Sequence, residues 1–167
     1  MRYLILGVCV VAAACAGTSP SAPTAPSSTI LGATVLEATG GSELPFSGTL
    51  QATETVAGAL HHLNGSGEAT HLGRFILVSE FTVTPPPGST ASGTATWMAA
   101  SGDQIFTTNA GQAVITFPIA AIVETHTITG GTGRFAQASG SLVLERSLNL
   151  QTLASSASIT GTISLGH

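Results

Sequence analysis

Phe75-Ile76-Leu77-Val78-Ser79-Glu80-Phe81-Thr82-Val83 alternates: Phe75, Leu77, Phe81 and Val83 fall on one face, and Ile76, Val78 and Glu80 on the other. A period of two belongs to a strand, whose successive side chains point to opposite sides of a sheet. The same alternation returns downstream. In residues 141–150, Leu142, Leu144, Leu148 and Leu150 share a side. Near the C-terminus Ile159, Gly161, Ile163 and Leu165 do the same, opposite Ser158, Thr160, Thr162 and Ser164. Residues 46–56, 67–72, 91–100, 104–108, 113–117 and 120–129 read as further strands. No stretch combines a helical period with helix caps.

Turn chemistry separates these runs. Asn64-Gly65 is a favoured type I′ hairpin pair, and Ser101-Gly102-Asp103 and Asn109-Ala110-Gly111 fit short connections. Pro85-Pro86-Pro87-Gly88 cannot donate to a ladder and belongs to a loop or an edge. The expectation is an all-β fold, a single antiparallel barrel of about eight strands spanning residues 29–167. Closure also hides the strand edges that a chain with few charges is poorly equipped to protect.

Charged residues are only 7% of the 167, and the basic ones are four arginines: Arg2, Arg74, Arg134 and Arg146. Apolar residues make up 43%, too many for a disordered chain. A net charge of −4 without a basic cluster argues against nucleic-acid binding.

The chain opens with Met1-Arg2 and an apolar run from Tyr3 to Ala14, short for a membrane span but right for a signal peptide over residues 1–14. Val11-Ala12-Ala13-Ala14-Cys15 resembles the bacterial lipobox, with Ala12 where leucine is preferred. That resemblance implies a diacylglyceryl group on Cys15, removal of residues 1–14 and anchoring in a membrane. The alternative is ordinary secretion, with cleavage after Ala14 or Ala16. Ala16, not aspartate, follows the cysteine, which for a lipoprotein points to an outer membrane. Residues 15–28, rich in Pro, Ser and Thr, have the composition of a tether. With Cys9 in the signal and Cys15 at the mature terminus, the domain holds no cysteine for a disulfide, a nucleophile or a thiolate site.

Gly130-Gly131-Thr132-Gly133-Arg134-Phe135-Ala136-Gln137-Ala138-Ser139-Gly140 contains a Gly-x-Gly-x-x-Ala pattern, but it leads into a strand at Ser141, so a dinucleotide site is rejected. Its glycines permit positive φ, and Phe135 is expected to tuck back onto the barrel. Gly-Arg-Phe also occurs at Gly73-Arg74-Phe75. The segment resembles the turn between late strands of the allene oxide cyclase barrel-like family, which includes the plant dirigent proteins. Ser101-Gly102-Asp103-Gln104 is similar to that family's turn before a strand. The resemblance extends over residues 45–165 and implies an eight-stranded antiparallel barrel of the calycin-like kind. It implies dimers or trimers too, although no oligomer signature stands in the sequence. It transfers no catalytic residue.

Period-two reasoning also groups the candidate chemistry. Glu124 and His126 share a face with Ile122 and Ile128, Arg146 with Leu144 and Leu148, and Glu80 with Ile76 and Val78. If these faces line the barrel, Glu80, Glu124, His126 and Arg146 form a polar patch under an apolar pocket, with Glu124 and His126 as an acid–base pair. If they are outer faces, their aliphatic residues are merely exposed or membrane-proximal; a buried Arg–Glu pair could also be purely structural. His61 and His62, being adjacent, point to opposite faces and make a poor metal site. No hydrolase elbow, P-loop, paired Cys-x-x-Cys or His-Glu-x-x-His pattern appears, so the sequence names neither cofactor nor metal. Two functions are expected: an envelope lipoprotein whose barrel binds a small apolar ligand, or, as the resemblance implies, a cyclase or isomerase acting on an apolar substrate.

Overall fold

A computed structural model describes residues 42–87 and 89–166. The signal peptide, Cys15, the tether and residues 29–41 lie outside the described residues. Among those described, eight antiparallel strands follow one another around a closed barrel, with β8 pairing back to β1. They are β1 (Glu43–Ala57), β2 (Leu60–Ala69), β3 (Gly73–Thr84), β4 (Thr90–Ala99), β5 (Gln104–Thr116), β6 (Ile119–Gly131), β7 (Ser139–Asn149) and β8 (Ala154–Ser164). A short 3-10 helix, Gly133–Phe135, joins β6 to β7.

The alternation decides which side faces in. Phe75, Leu77 and Phe81 of β3, Leu142, Leu144 and Leu148 of β7, and Ile159 and Ile163 of β8 are buried, while Ile76 and Val78 stand about half exposed outside. One end of the barrel is sealed by Phe46, Leu72, Phe75 and Phe135, with Trp97 above them. Fully burying one such phenylalanine contributes about 1.5–3 kcal/mol. The glycine-rich turn forms the seal. Gly130, Gly133 and Gly140 all have positive φ, at 135°, 54° and 137°. Gln104 donates its N–H to Thr132 Oγ1 at 2.9 Å, and Arg134 lies 3.6 Å from Asp103, so the turn docks on the Ser101–Asp103 hairpin. A Cβ at Gly133 would fall 1.9 Å from Asp103 Oδ1.

Two expected turns prove to be strand interior. Asn64 and Gly65 sit within β2, opposite Thr53 and Ala52, and the β1–β2 hairpin turns instead at Gly58, with φ of 66°. Gly65 is glycine because it faces inward: a Cβ there would come within 2.7 Å of Leu50 Cδ1. Asn109-Ala110-Gly111 likewise lies inside β5, which merges the segments expected at 104–108 and 113–117 into one strand. The strand expected at 67–72 is only the end of β2, and residues 70–72 turn into β3. Pro85 to Pro87 do form the β3–β4 connection.

Candidate functional site

Midway along the barrel the interior changes from apolar to polar. Glu54 of β1, Glu124 and His126 of β6, and Arg146 of β7 are all buried there. Arg146 pairs in register with Ile122, and Glu124 with Leu144, so the guanidinium reaches its neighbour diagonally. Its Nε donates to Glu124 Oε1 at 2.9 Å, Nη2 donates to the same oxygen, and Nη1 donates to Glu54 Oε1. One arginine thus ties two carboxylates from strands on either side of β7 and β8.

Each carboxylate holds a histidine on its other oxygen. His61 Nδ1 lies 3.1 Å from Glu54 Oε2, and His126 Nε2 lies 3.4 Å from Glu124 Oε2. An ionised carboxylate only accepts, so the network assigns the proton to Nδ1 of His61 and to Nε2 of His126. His126 Nδ1 then accepts from the Thr107 hydroxyl at 3.1 Å, and Thr107 Oγ1 accepts from Trp97 Nε1 at 3.3 Å. The result is a directed chain from Trp97 through Thr107 and His126 to Glu124. Beside it, Asn109 donates to Ser79 Oγ at 3.1 Å, but its buried Oδ1 has no protein partner.

Electrostatics follow from this packing. Burial pushes the Glu124 carboxyl up, but the His126 hydrogen bond and the Arg146 charge and hydrogen bonds outweigh it, holding Glu124 below its ordinary value. Burial favours neutral Arg146, yet Glu124 and Glu54 reverse that and raise its pKa. The arginine–glutamate pair thus holds its charges against burial.

Above the polar layer a cavity of about 200 Å³ opens toward the barrel end formed by the β1–β2, β3–β4, β5–β6 and β7–β8 hairpins. Glu54, His61, Glu124 and Arg146 lie along it, and Phe81, Val83, Ile115, Ile122, Leu148 and Leu150 supply apolar walls. Gly111 of β5 makes room for the floor, since a Cβ there would stand 2.8 Å from Glu124 Cγ. A water-sized void of about 10 Å³, bordered by Asn109, Gly111 and Glu124, lies beside it.

Of the four residues expected in a polar patch, three come together: Glu124, His126 and Arg146. Glu80 does not. It stands on the outer wall with Ile76 and Val78, beside half-buried His62 at 3.3 Å, because the inward position between Leu77 and Phe81 belongs to Ser79. The sequence reading missed Glu54 and His61. Glu54 carries the parity of Phe46, Leu50 and Ala52, a signal present in the sequence. His61 shares its parity with Leu63, but a turn placed at Asn64-Gly65 concealed β2. Among the described residues no cluster of three or more His, Cys, Asp or Glu is placed to hold a metal.

No family profile and no curated protein matches the chain. Among solved structures, the pterocarpan synthase dirigent protein GePTS1 superposes with a TM-score of 0.56, covering 84% of this chain and 99% of that one at 12% identity. At that identity the likeness is one of architecture: the chain folds as a dirigent-like eight-stranded barrel.

Proposed function

We propose that this barrel binds a small apolar ligand in the cavity at its open end. The observation that carries the reading is an apolar-walled space of about 200 Å³ set over a floor of hydrogen-bonded charges. Apolar walls with a few convergent polar groups are the usual form of a ligand site. The size bounds the occupant, since an apolar cavity of about 150 Å³ holds benzene. Calorimetric titration with toluene tests it. Wild type should bind, and Ala113→Phe, which fills the space from a half-buried position, should not. Equal binding by both proteins, or none by wild type, overturns the reading.

A second reading is favoured by the Glu124–His126 pair itself: an isomerase or cyclase in which Glu124, at the cavity floor, exchanges a proton with the bound molecule and His126 and Thr107 relay it. Any isomerisation found on screening apolar alcohols and epoxides should vanish in Glu124→Gln while toluene still binds. Turnover that survives the substitution removes this reading.

We also propose that Cys15 carries a lipid that anchors the protein in the cell envelope, at an outer membrane. The support is the signal-like run, the small residues before the thiol and the tether behind it. A fatty-acid analogue should label wild type and not Cys15→Ser. Equal labelling of both leaves ordinary secretion.

A further inference from the structure

The floor of the cavity has a charge and a hydrogen-bond count, and together they narrow the ligand. The inference rests on the ligand-binding reading above and adds the chemical class. Glu54, Glu124 and Arg146 sum to −1 in the buried layer. Of the four oxygens of the two carboxylates, Glu124 Oε1 takes two Arg146 N–H groups, Glu54 Oε1 takes one, and Glu54 Oε2 faces His61. The fourth, Glu124 Oε2, faces His126. No carboxylate oxygen is left without a donor.

Other groups have capacity to spare. His61 donates through Nδ1 to Glu54, which in the neutral imidazole leaves the lone pair on Nε2, and the ring lies along the cavity with 18% of the side chain accessible. Asn109 Oδ1 is a second buried acceptor without a protein partner, at the water-sized void beside the floor. Arg146 uses three of its N–H groups on the glutamates and keeps the others. Acceptors and one donor source therefore converge where the charge is already negative.

We propose that the cavity takes a neutral, compact apolar molecule bearing a hydroxyl group, whose O–H donates to His61 Nε2 and whose oxygen accepts from Arg146. A carboxylate of the same skeleton could also accept from Arg146, but it adds a second uncompensated negative charge to a buried layer. An ammonium would offset the charge of the layer, but it has no lone pair for the Arg146 N–H groups and must sit beside that guanidinium. A hydroxyl both gives and receives. Glu54 matters here as a positioning residue: it fixes the His61 tautomer that presents the lone pair.

The experiment compares 4-ethylcyclohexanol, 4-ethylcyclohexanecarboxylate, 4-ethylcyclohexylammonium and ethylcyclohexane by calorimetry on the full barrel at pH 7.5. The alcohol should bind at least tenfold more tightly than the carboxylate and the ammonium, and more tightly than the hydrocarbon. His61→Phe keeps a ring on Phe81 but lacks the acceptor; relative to the hydrocarbon, the alcohol should lose tenfold or more. His61→Gln, which offers Glu54 a donor and the cavity an acceptor, should retain most of the preference. Carboxylate or ammonium binding as tight as the alcohol, or alcohol and hydrocarbon alike in wild type and His61→Phe, overturns the hydroxyl assignment while leaving the apolar pocket standing. If none of the four binds, the pocket reading falls with it. The wild-type comparison decides the matter even if His61→Phe fails to fold.

Discussion

Arg146 bonds Glu54 from 92 positions further along the chain, and the two belong to strands separated by β8. Such a contact exists only when the barrel is closed, so it reports closure. Removing Arg146 leaves two glutamates buried without their cation. Arg146→Met should lower stability by about 3–5 kcal/mol. Urea unfolding measures it, and adding Glu54→Gln with Glu124→Gln should recover much of the loss. A single-variant loss below about 1 kcal/mol would show that water already screens the cluster.

Two glycines separate a packing demand from a backbone one. Gly111 lacks positive φ, yet a Cβ would press on Glu124 Cγ at 2.8 Å and Val123 O at 3.0 Å. Gly111→Ala should cost about 1–3 kcal/mol through overpacking, with a smaller cost in a Glu124→Ala background. Gly58 has open space around it and a φ of 66°. Gly58→Ala should cost about 1–2 kcal/mol whatever stands at 124, and Gly58→Asn less. A Gly111 penalty indifferent to residue 124 contradicts the crowding argument.

Acid stability carries the signature of Glu124. Its folded pKa lies below the ordinary 4.5, because His126 and Arg146 overcome the opposing effect of burial. The folded state thus favours the ionised form. Its contribution is complete above the unfolded value and is lost as pH falls through the lower folded one. Wild-type stability should fall more steeply than that of Glu124→Gln as pH drops below 4.5. Parallel profiles there remove the claim that Glu124 is held ionised.

Thr107 joins Trp97, the only tryptophan in the chain, to His126. Thr107→Val strands two buried ring nitrogens and should cost about 1–3 kcal/mol, whereas Thr107→Ser keeps the hydroxyl and should cost less. Tryptophan fluorescence during urea unfolding measures both. A valine variant as stable as the serine one means the hydroxyl bridges nothing.

Parity carried most of what the sequence revealed. Leu142, Leu144 and Leu148 marked the inner face of β7, and Arg146, sharing their parity, came inside with them. The same rule set Glu124 and His126 beside Ile128. It misled at β3, where both faces are apolar and the outward Ile76 and Val78 looked as fit for burial as the inward Leu77. Only closure against neighbouring strands chooses between two such faces. Local turn preferences failed where glycine answers a different need. Gly65 and Gly111 are small because interior side chains crowd them, and a hairpin signal cannot be told from that demand along a single strand. The β1-to-β7 tie was invisible for another reason: it depends on curvature around the whole ring.

Eight strands running up and down in sequence order return the chain to the end from which it set out. Glu43 and Ser164, the first residue of β1 and the last of β8, are direct partners in the ladder. That end is the one Phe135 plugs, and the cavity opens at the other. Polypeptide joined ahead of Glu43 or behind Ser164 therefore attaches on the blind side, like a stem to the foot of a cup. A fusion or a circular permutation made there leaves the lip free.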